Sequence, residues 1–261
     1  MQQQHVDEAA GILTRAAVSN ERLSGLPRHC RPADLAEGYA VQARVAETSG
    51  RRVVGWKIAA TSVAGQKHIG VDGPIAARLL SERVIASGLA IPMQGNVMNV
   101  AEAEFAFRMA EDLPRRATAY GVDDVMRAVA TLHPAIEIPD SRYTEFATVG
   151  AAQLIADAAC ARWLATGPAT TADWRNIDLI GHQVVAYRNG TEAGRGSGLN
   201  VLGDPRVALT WLVNELCAMG QSLCAGDLVT TGACVAPMAV TAGDEMQVDF
   251  GQLGSVGVAF V

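Results

Sequence analysis

Apolar residues recur at helical spacing near the start of the chain. Ala9, Ile12, Leu13 and Ala16 stand on one side of residues 6–20, with polar residues between them. This spacing predicts one helix there and a second over 32–47, where Leu35, Tyr39, Val41 and Val45 mark the buried side and Pro32 suits the first turn. The pattern then changes. VVGWKIAAT (53–61) is short and β-branched, NVAEAEFAFRM (99–109) alternates, and HPAIEIPDS (133–141) alternates around a single Glu, so all three read as strands. Residues 122–132 read as a helix whose positive end is favoured by Asp123 and Asp124. AAQLIADAACARWLAT (151–166) reads as a buried helix stopped by Gly167 and Pro168. Alternating segments on either side of Asn189-Gly190 predict a hairpin within 182–196. Asp204 and Pro205 open a helix that Gly220 ends, and residues 225–261 are short β segments divided by glycine-containing turns.

Helices come early and strands dominate later, without regular βαβ alternation. That order predicts an α+β protein with a curled or sandwiched β core, and argues against a Rossmann fold. The reading divides the chain into an N-terminal helical segment, residues 1–50, and a β-rich core, residues 51–261, that carries the chemistry. With 49% hydrophobic and 18% charged residues in 261, the chain has ample material for a core and no signature of disorder. A formal charge of −6 without any basic tract is the wrong field for a phosphate backbone, so nucleic acid is not an expected partner. The five cysteines (Cys30, Cys160, Cys217, Cys224, Cys234) are scattered and contain no CxxC pair, which fits free thiols in a reducing, cytoplasmic setting. MQQQHVDEAAGILTRAAVSN lacks the basic start and apolar run of a secretory signal. No stretch reaches the roughly 18 apolar residues that span a bilayer, so no membrane association is expected.

Three features carry candidate chemistry. In AEAEFAF, Glu102 and Glu104 lie two apart in a strand and therefore share a face, opposite Ala103, Phe105 and Phe107. Two like charges on an otherwise apolar strand need a compensating cation if buried, and a hard divalent ion accepts such oxygens. The plain alternative is a polar face turned to water. Glu137 sits alone between Ile136 and Ile138, as a third inward carboxylate or as the wet side of an edge strand. Three carboxylates would leave coordination positions open for water or substrate, as a catalytic metal requires. Asp140 and Arg142 follow as a supporting ion pair or an ordinary surface pair. Lys57, in VVGWKIA, could hold a substrate carboxylate or move a proton, or could simply extend to solvent. The glycine-rich GRGSGLNVLG (194–203) lacks the Lys-Ser/Thr ending of a phosphate cradle and reads as a loop near a ligand. There is no GxSxG elbow, and the five histidines show no metal-ligand spacing.

Taken in order, GWKIAATS, HIGVDGP, AEAEFAF, DLP, PAIEIPDSR, IAD, GRGSG, VLGDP, AGDLVTTG and FGQLGSV span nearly the whole chain. As an ordered set they resemble the hydratase/decarboxylase branch of the fumarylacetoacetate hydrolase superfamily. The resemblance implies a mixed β-roll or sandwich core, with Glu102, Glu104 and Glu137 binding Mg²⁺ or Mn²⁺. It further implies catalytic roles for Lys57, Asp72 and Arg142, and substrate binding by Lys57, Asp157 and Ser197. The implied reaction is hydration of a 2-hydroxy-2,4-dienoate of the 2-oxopent-4-enoate type through a metal-stabilised enolate, in aromatic-compound breakdown. Decarboxylation of a 4-oxalocrotonate-type 2-oxo acid, C–C hydrolysis of an acylpyruvate and a non-catalytic partner subunit are the alternatives. The implied partners are the small acid substrate, further copies of the chain in a homo-oligomer, and an enzyme of the same pathway. Two positions depart from the branch's pattern. Ile75 stands where many hydratases carry a second acid, three residues after GVD, and Ala158 rather than Asn follows Asp157.

Overall fold

The structure is a computed structural model that describes residues 1–261. Two helices lead the chain, α1 (Gln3–Ser19) and α2 (Leu35–Thr48), followed by β1 (Val53–Ala59), α3 (Val63–Ile69), β2 (Ile75–Leu80), β3 (Val84–Ala86) and β4 (Ala90–Ile91). The middle holds β5 (Val100–Met109), α4 (Val122–Arg127), β6 (Val129–Ile138), α5 (Ala151–Ala156) and β7 (Trp163–Thr166). The last third is β8 (Gln183–Arg188), β9 (Thr191–Ser197), α6 (Pro205–Ala218), β10 (Leu228–Ala233), β11 (Met238–Ala239), β12 (Glu245–Asp249) and β13 (Ser255–Phe260). The architecture is α+β, with two mixed sheets and helices at its N-terminus.

An eight-stranded sheet runs β2-β1-β10-β5-β6-β7-β3, with β11 added to β5. Its two edge strands, β2 and β3, are consecutive in the chain and separated only by the turn Ser81–Arg83, so the sheet curls until its edges meet. The inside of this roll holds a small apolar plug made of Leu79, Ala106, Ala135, Leu164 and Leu228. Gly55 is required where β1 meets β10: a Cβ there would lie 1.8 Å from the Leu228 carbonyl oxygen. The outer face, with Phe105, Phe107 and Ile136, belongs to the main core. It packs against the second sheet, β4-β13-β12-β8-β9, where Phe250 meets Phe105 edge-on at 5.2 Å. Helices α1 and α2 close a separate core through Val6, Ala9, Ala10, Leu13 and Val41.

Local chemistry explains most boundaries and three departures from the sequence pattern. Helix α2 begins at Leu35, because Asp34 accepts from Glu37 N (2.9 Å) while Glu37 accepts from Ala33 N (2.8 Å), a reciprocal cap that leaves Pro32 outside. Helix α4 stops at Arg127 instead of reaching 132, since Val129–Leu132 are claimed by β6, which pairs with β5 as far as Met109↔Val129. The single helix expected over 151–166 is broken. Helix α5 ends at Ala156, then Ala158, Ala159 and Cys160 take left-handed conformations (φ 51°, 44° and 64°), and β7 follows between β6 and β3. Asn189 and Gly190 form the expected hairpin turn, both with positive φ, and Asp204 caps α6 by accepting from Arg206 N.

Candidate active site

Strand register assembles the carboxylates. Glu102 on β5 lies directly opposite Glu137 on β6, and Glu104 is two residues further along the same face. Ala103, Phe105 and Phe107 point the other way into the core, as the alternation requires. One carboxylate oxygen from each of Glu102, Glu104 and Glu137 lies within 4.8 Å of the others. Glu104 and Glu137 are buried and Glu102 is half-buried. Lys57 enters from β1, three strands away around the sheet. On a flat sheet that separation would be about 14 Å between backbones. The curl of the roll instead brings its Nζ to 2.8 Å from Glu137 Oε1.

The charges do not balance. Three carboxylates face one ammonium, which leaves two negative charges in excess. Glu104 Oε2 accepts from Gly232 N (2.9 Å), but its Oε1 has no hydrogen-bond partner, and neither does Glu137 Oε2. Burial pushes the Glu102 carboxyl up to about 7, helped by the charge of Glu137 and opposed by Lys57. Glu104 is held well above the ordinary carboxylate range by burial and then by Glu137 and Glu102. On Lys57, burial works against the charge, yet the three carboxylates outweigh it and raise the ammonium's pKa above its usual value. Orphaned, buried, oxygen-only donors with two surplus negative charges fit a hard divalent cation.

A second ionic group stands behind the first. Asp157 accepts from Ser141 Oγ (2.8 Å), from the Arg142 amide (2.9 Å) and from Arg142 Nε. Arg142 also donates to the Asp140 carbonyl (3.1 Å) and to the Asp157 carbonyl. Burial opposes the guanidinium's charge, but Asp157 raises its pKa above the usual value. This knot fixes the start of the left-handed segment 158–160, and from that segment the Ala159 carbonyl accepts from Lys57 Nζ at 3.0 Å. Arg142 and Asp157 therefore position Lys57 through the backbone.

The residues expected from sequence separate into three groups. Lys57, Glu102, Glu104 and Glu137 come together. Arg142 and Asp157 also come together, but on each other, so Asp157 has no free oxygen to offer a substrate. The expected Asp140–Arg142 ion pair is replaced by Arg142–Asp157, while Asp140 pairs with Arg22 at 2.9 Å. Asp72 is exposed on the loop after α3, and Ser197 ends β9 in the other sheet, so neither joins the buried cluster. The glycine-rich segment does run beside it: the Leu202 amide donates to Thr61 O (2.9 Å) and Asn200 Nδ2 to Cys234 O (2.8 Å), tying down the ends of β1 and β10. Two contributors were missed because they act through backbone, the Ala159 carbonyl and the Gly232 amide. Gly232 carries its own signal, since a Cβ there would strike Thr61 Oγ1 at 2.1 Å and its φ is +98°.

The fumarylacetoacetate (FAA) hydrolase C-terminal family matches residues 63–261, which include all three glutamates and the Arg142–Asp157 knot. The chain belongs to this family. Lys57 lies just outside the matched stretch. Among relatives, 2-keto-4-pentenoate hydratase 1 of Dechloromonas aromatica (strain RCB) is 33% identical over 259 residues, 97% of this chain and 96% of that protein. A 4-oxalocrotonate decarboxylase of Pseudomonas putida is 31% identical over 230 residues, 87% and 86% of the two chains. Among solved structures, 4-oxalocrotonate decarboxylase from Pseudomonas putida G7, complexed with magnesium and adipate, shares the fold with a TM-score of 0.91. It is 27% identical and covers 100% of this chain and 99% of that one. The mixed, curled sheets with leading helices are thus the FAA hydrolase-type fold.

Proposed function

We propose that the protein is a divalent-metal-dependent lyase that hydrates a 2-hydroxy-2,4-dienoate to a 4-hydroxy-2-oxo acid. The observation that carries this reading is the buried set of Glu102, Glu104 and Glu137, with two negative charges more than Lys57 neutralises and with orphaned oxygens. Those three side chains would hold Mg²⁺ or Mn²⁺. When bound, such an ion supplies Lewis-acid polarisation to a 2-oxo acid chelated through its carboxylate and 2-oxo oxygens.

The remaining work falls to the chain. Lys57 carries three N–H donors, and Glu137 and Ala159 account for two directions, so one remains for a substrate carboxylate or a proton in transit between oxygen and carbon. Gly232 fixes the Glu104 carboxylate, and burial of Glu104 and Glu137 keeps bulk water from competing for their charge. The homologous hydratase and decarboxylase support this chemistry, as does the magnesium in the Pseudomonas putida G7 structure. A reducing, cytoplasmic setting fits the five free thiols, and no helix is long and apolar enough to cross a membrane. Assembly into a homo-oligomer is part of the same proposal, to be measured by light scattering.

Decarboxylation is the second reading, favoured by Ile75. The register pairs Ala59 with Ile75 and Lys57 with Ala77, so Ile75 shares Lys57's side of the sheet and puts an apolar side chain there. The test is an ultraviolet absorbance assay with freshly generated 2-hydroxypenta-2,4-dienoate and with 4-oxalocrotonate, each in Mg²⁺, Mn²⁺ or EDTA. Metal-dependent formation of 4-hydroxy-2-oxopentanoate supports the hydratase. CO₂ release from oxalocrotonate alone replaces it with the decarboxylase. No bound metal and no turnover would overturn both.

A further inference from the structure

A second set of metal-ligating side chains lies in the N-terminal helical segment, apart from the three glutamates. Glu8 comes from α1, and His29 and Cys30 from the single helical turn Arg28–Cys30 between α1 and α2. One ligand atom from each lies within 4.8 Å of the other two. His29 Nε2 meets Glu8 Oε1 at 2.9 Å, across 21 residues of sequence. His5, one turn before Glu8 on α1, sets its ring edge-on to that of His29, with centroids 6.0 Å apart. Glu8 and His29 are exposed, whereas Cys30 belongs to the small core with Val6, Ala9 and Leu13. The turn that presents them is braced. The Cys30 amide donates to Pro27 O (3.1 Å), and Arg31 donates twice to Leu26 O, from Nε (2.9 Å) and Nη2 (2.6 Å).

An exposed Glu–His pair contributes little by itself, and a buried thiol often serves as a small apolar side chain. Convergence sets this group apart. The thiol's hydrogen bond is a long one, 3.6 Å to Pro27 O, so it holds the sulfur only weakly. Imidazole, thiolate and carboxylate together are the ligand chemistry of Zn²⁺, whereas Mg²⁺ takes oxygen. A thiolate and a carboxylate carry two negative charges and an imidazole none, which balances a dication. We propose that Glu8, His29 and Cys30, with His5 as the fourth ligand, form a Zn²⁺ site that ties the turn 28–30 to α1. As Zn²⁺ binds, an S–Zn bond replaces the S–H bond of Cys30 and the proton leaves to solvent. The Glu8–His29 hydrogen bond gives way to one bond from each residue to the metal. Nothing is oxidised or reduced. The chain would then sort two metals by donor type, with the all-oxygen cluster of Glu102, Glu104 and Glu137 taking the harder ion.

The test is a Co²⁺ titration of the reduced, full-length protein, because Co²⁺ enters Zn²⁺ sites and reports thiolate ligation by an intense near-ultraviolet charge-transfer band. The glutamate cluster contains no sulfur and gives no such band. A Cys224→Ser background removes the exposed thiol. One equivalent of Co²⁺ at the site is expected to produce the band, one equivalent of Zn²⁺ to bleach it, and a large excess of Mg²⁺ to leave it intact. Cys30→Ser should abolish the band. Glu8→Gln and His29→Gln alter exposed side chains, so the fold should hold, and each should weaken Co²⁺ binding at this site at least tenfold. His5→Gln should weaken it severalfold, and an unchanged affinity would strike His5 from the ligand set. Glu104→Gln should leave the band unchanged, which separates this site from the glutamates. Absence of the band, or its survival in Cys30→Ser, would overturn the proposal. So would equal affinity in Glu8→Gln, His29→Gln and the parent protein.

Discussion

Two buried ionic groups lie side by side in this molecule and obey different rules. In the Arg142–Asp157 knot every charge is matched, and the carboxylate accepts from Ser141, the Arg142 amide and the guanidinium. In the Glu102–Glu104–Glu137–Lys57 cluster, negative charge exceeds positive, and two carboxylate oxygens have no donor. Burial is similar in both, so burial alone does not distinguish structure from function. The balance of charges and donors does: the first group is complete in itself, and the second becomes complete only with a further cation.

The sharpest way to break this comparison is to remove one member from each group. Glu104→Gln should lower turnover about a thousandfold, equivalent to about 4 kcal/mol, because a ligand and its charge are lost while the shape is kept. Metal titration should show the matching loss of affinity. In EDTA the same variant should melt above wild type, since a carboxyl that burial and the neighbouring glutamates hold back from ionising is replaced by a neutral amide. Arg142→Met should do the opposite. Leaving Asp157 buried and unpaired should cost about 3–5 kcal/mol of stability in chemical denaturation, with or without Mg²⁺. If both variants destabilised the metal-free protein equally, the two groups would not differ in kind.

Much of the candidate site was legible in the sequence, for reasons that are local. Glu102 and Glu104 share a face because strands alternate, and Glu137 stands out as a lone charge among isoleucines. Their convergence with Lys57 is not local, because it depends on the curl that brings strands three places apart into contact. The fold class followed from the order of helices and strands, whereas the break in 151–166 did not. Ala158, Ala159 and Cys160 have nothing in their side chains to announce a left-handed kink, which the pairing of β7 and the Arg142–Asp157 knot impose from outside. Asp72 and Ser197 entered by resemblance, and no spacing in the chain could have shown that they fold outside the buried cluster.

Occupancy and pH sharpen the comparison further. Mg²⁺ at a hundredfold excess over its Kd should stabilise wild type by about 2.7 kcal/mol, raising Tm by roughly 5–10 °C. Glu104→Gln should lose most of that gain, whereas Arg142→Met should retain it. Without metal, stability should also depend on pH. Glu102 has a folded pKa of about 7 against 4.5 for the free group, so the folded state holds its proton more tightly. Its stabilising contribution is complete below about 4.5 and is lost as pH rises through about 7. A melting series in EDTA should therefore fall between those values, and the same series in Mg²⁺ should be flatter there. Parallel curves would show that the carboxylates do not share a site with the metal.

The smallest expected effect concerns the link between the two groups. Ala159 adopts φ 44°, where a side chain is strained, and its carbonyl is the acceptor that holds Lys57. Glycine relieves that strain but also adds freedom to the unfolded chain, so Ala159→Gly should stabilise the protein by less than about 1 kcal/mol. Freed from its Cβ, the segment would also hold its carbonyl less firmly, and Lys57 would be less well placed. Turnover should fall a few-fold, with metal affinity unchanged. That division decides what the kink is for. A gain in stability with full activity would mean that the left-handed segment merely accommodates the start of β7. A gain accompanied by a loss in turnover would mean that the balanced knot bears the strain so that the unbalanced cluster can keep its lysine in place.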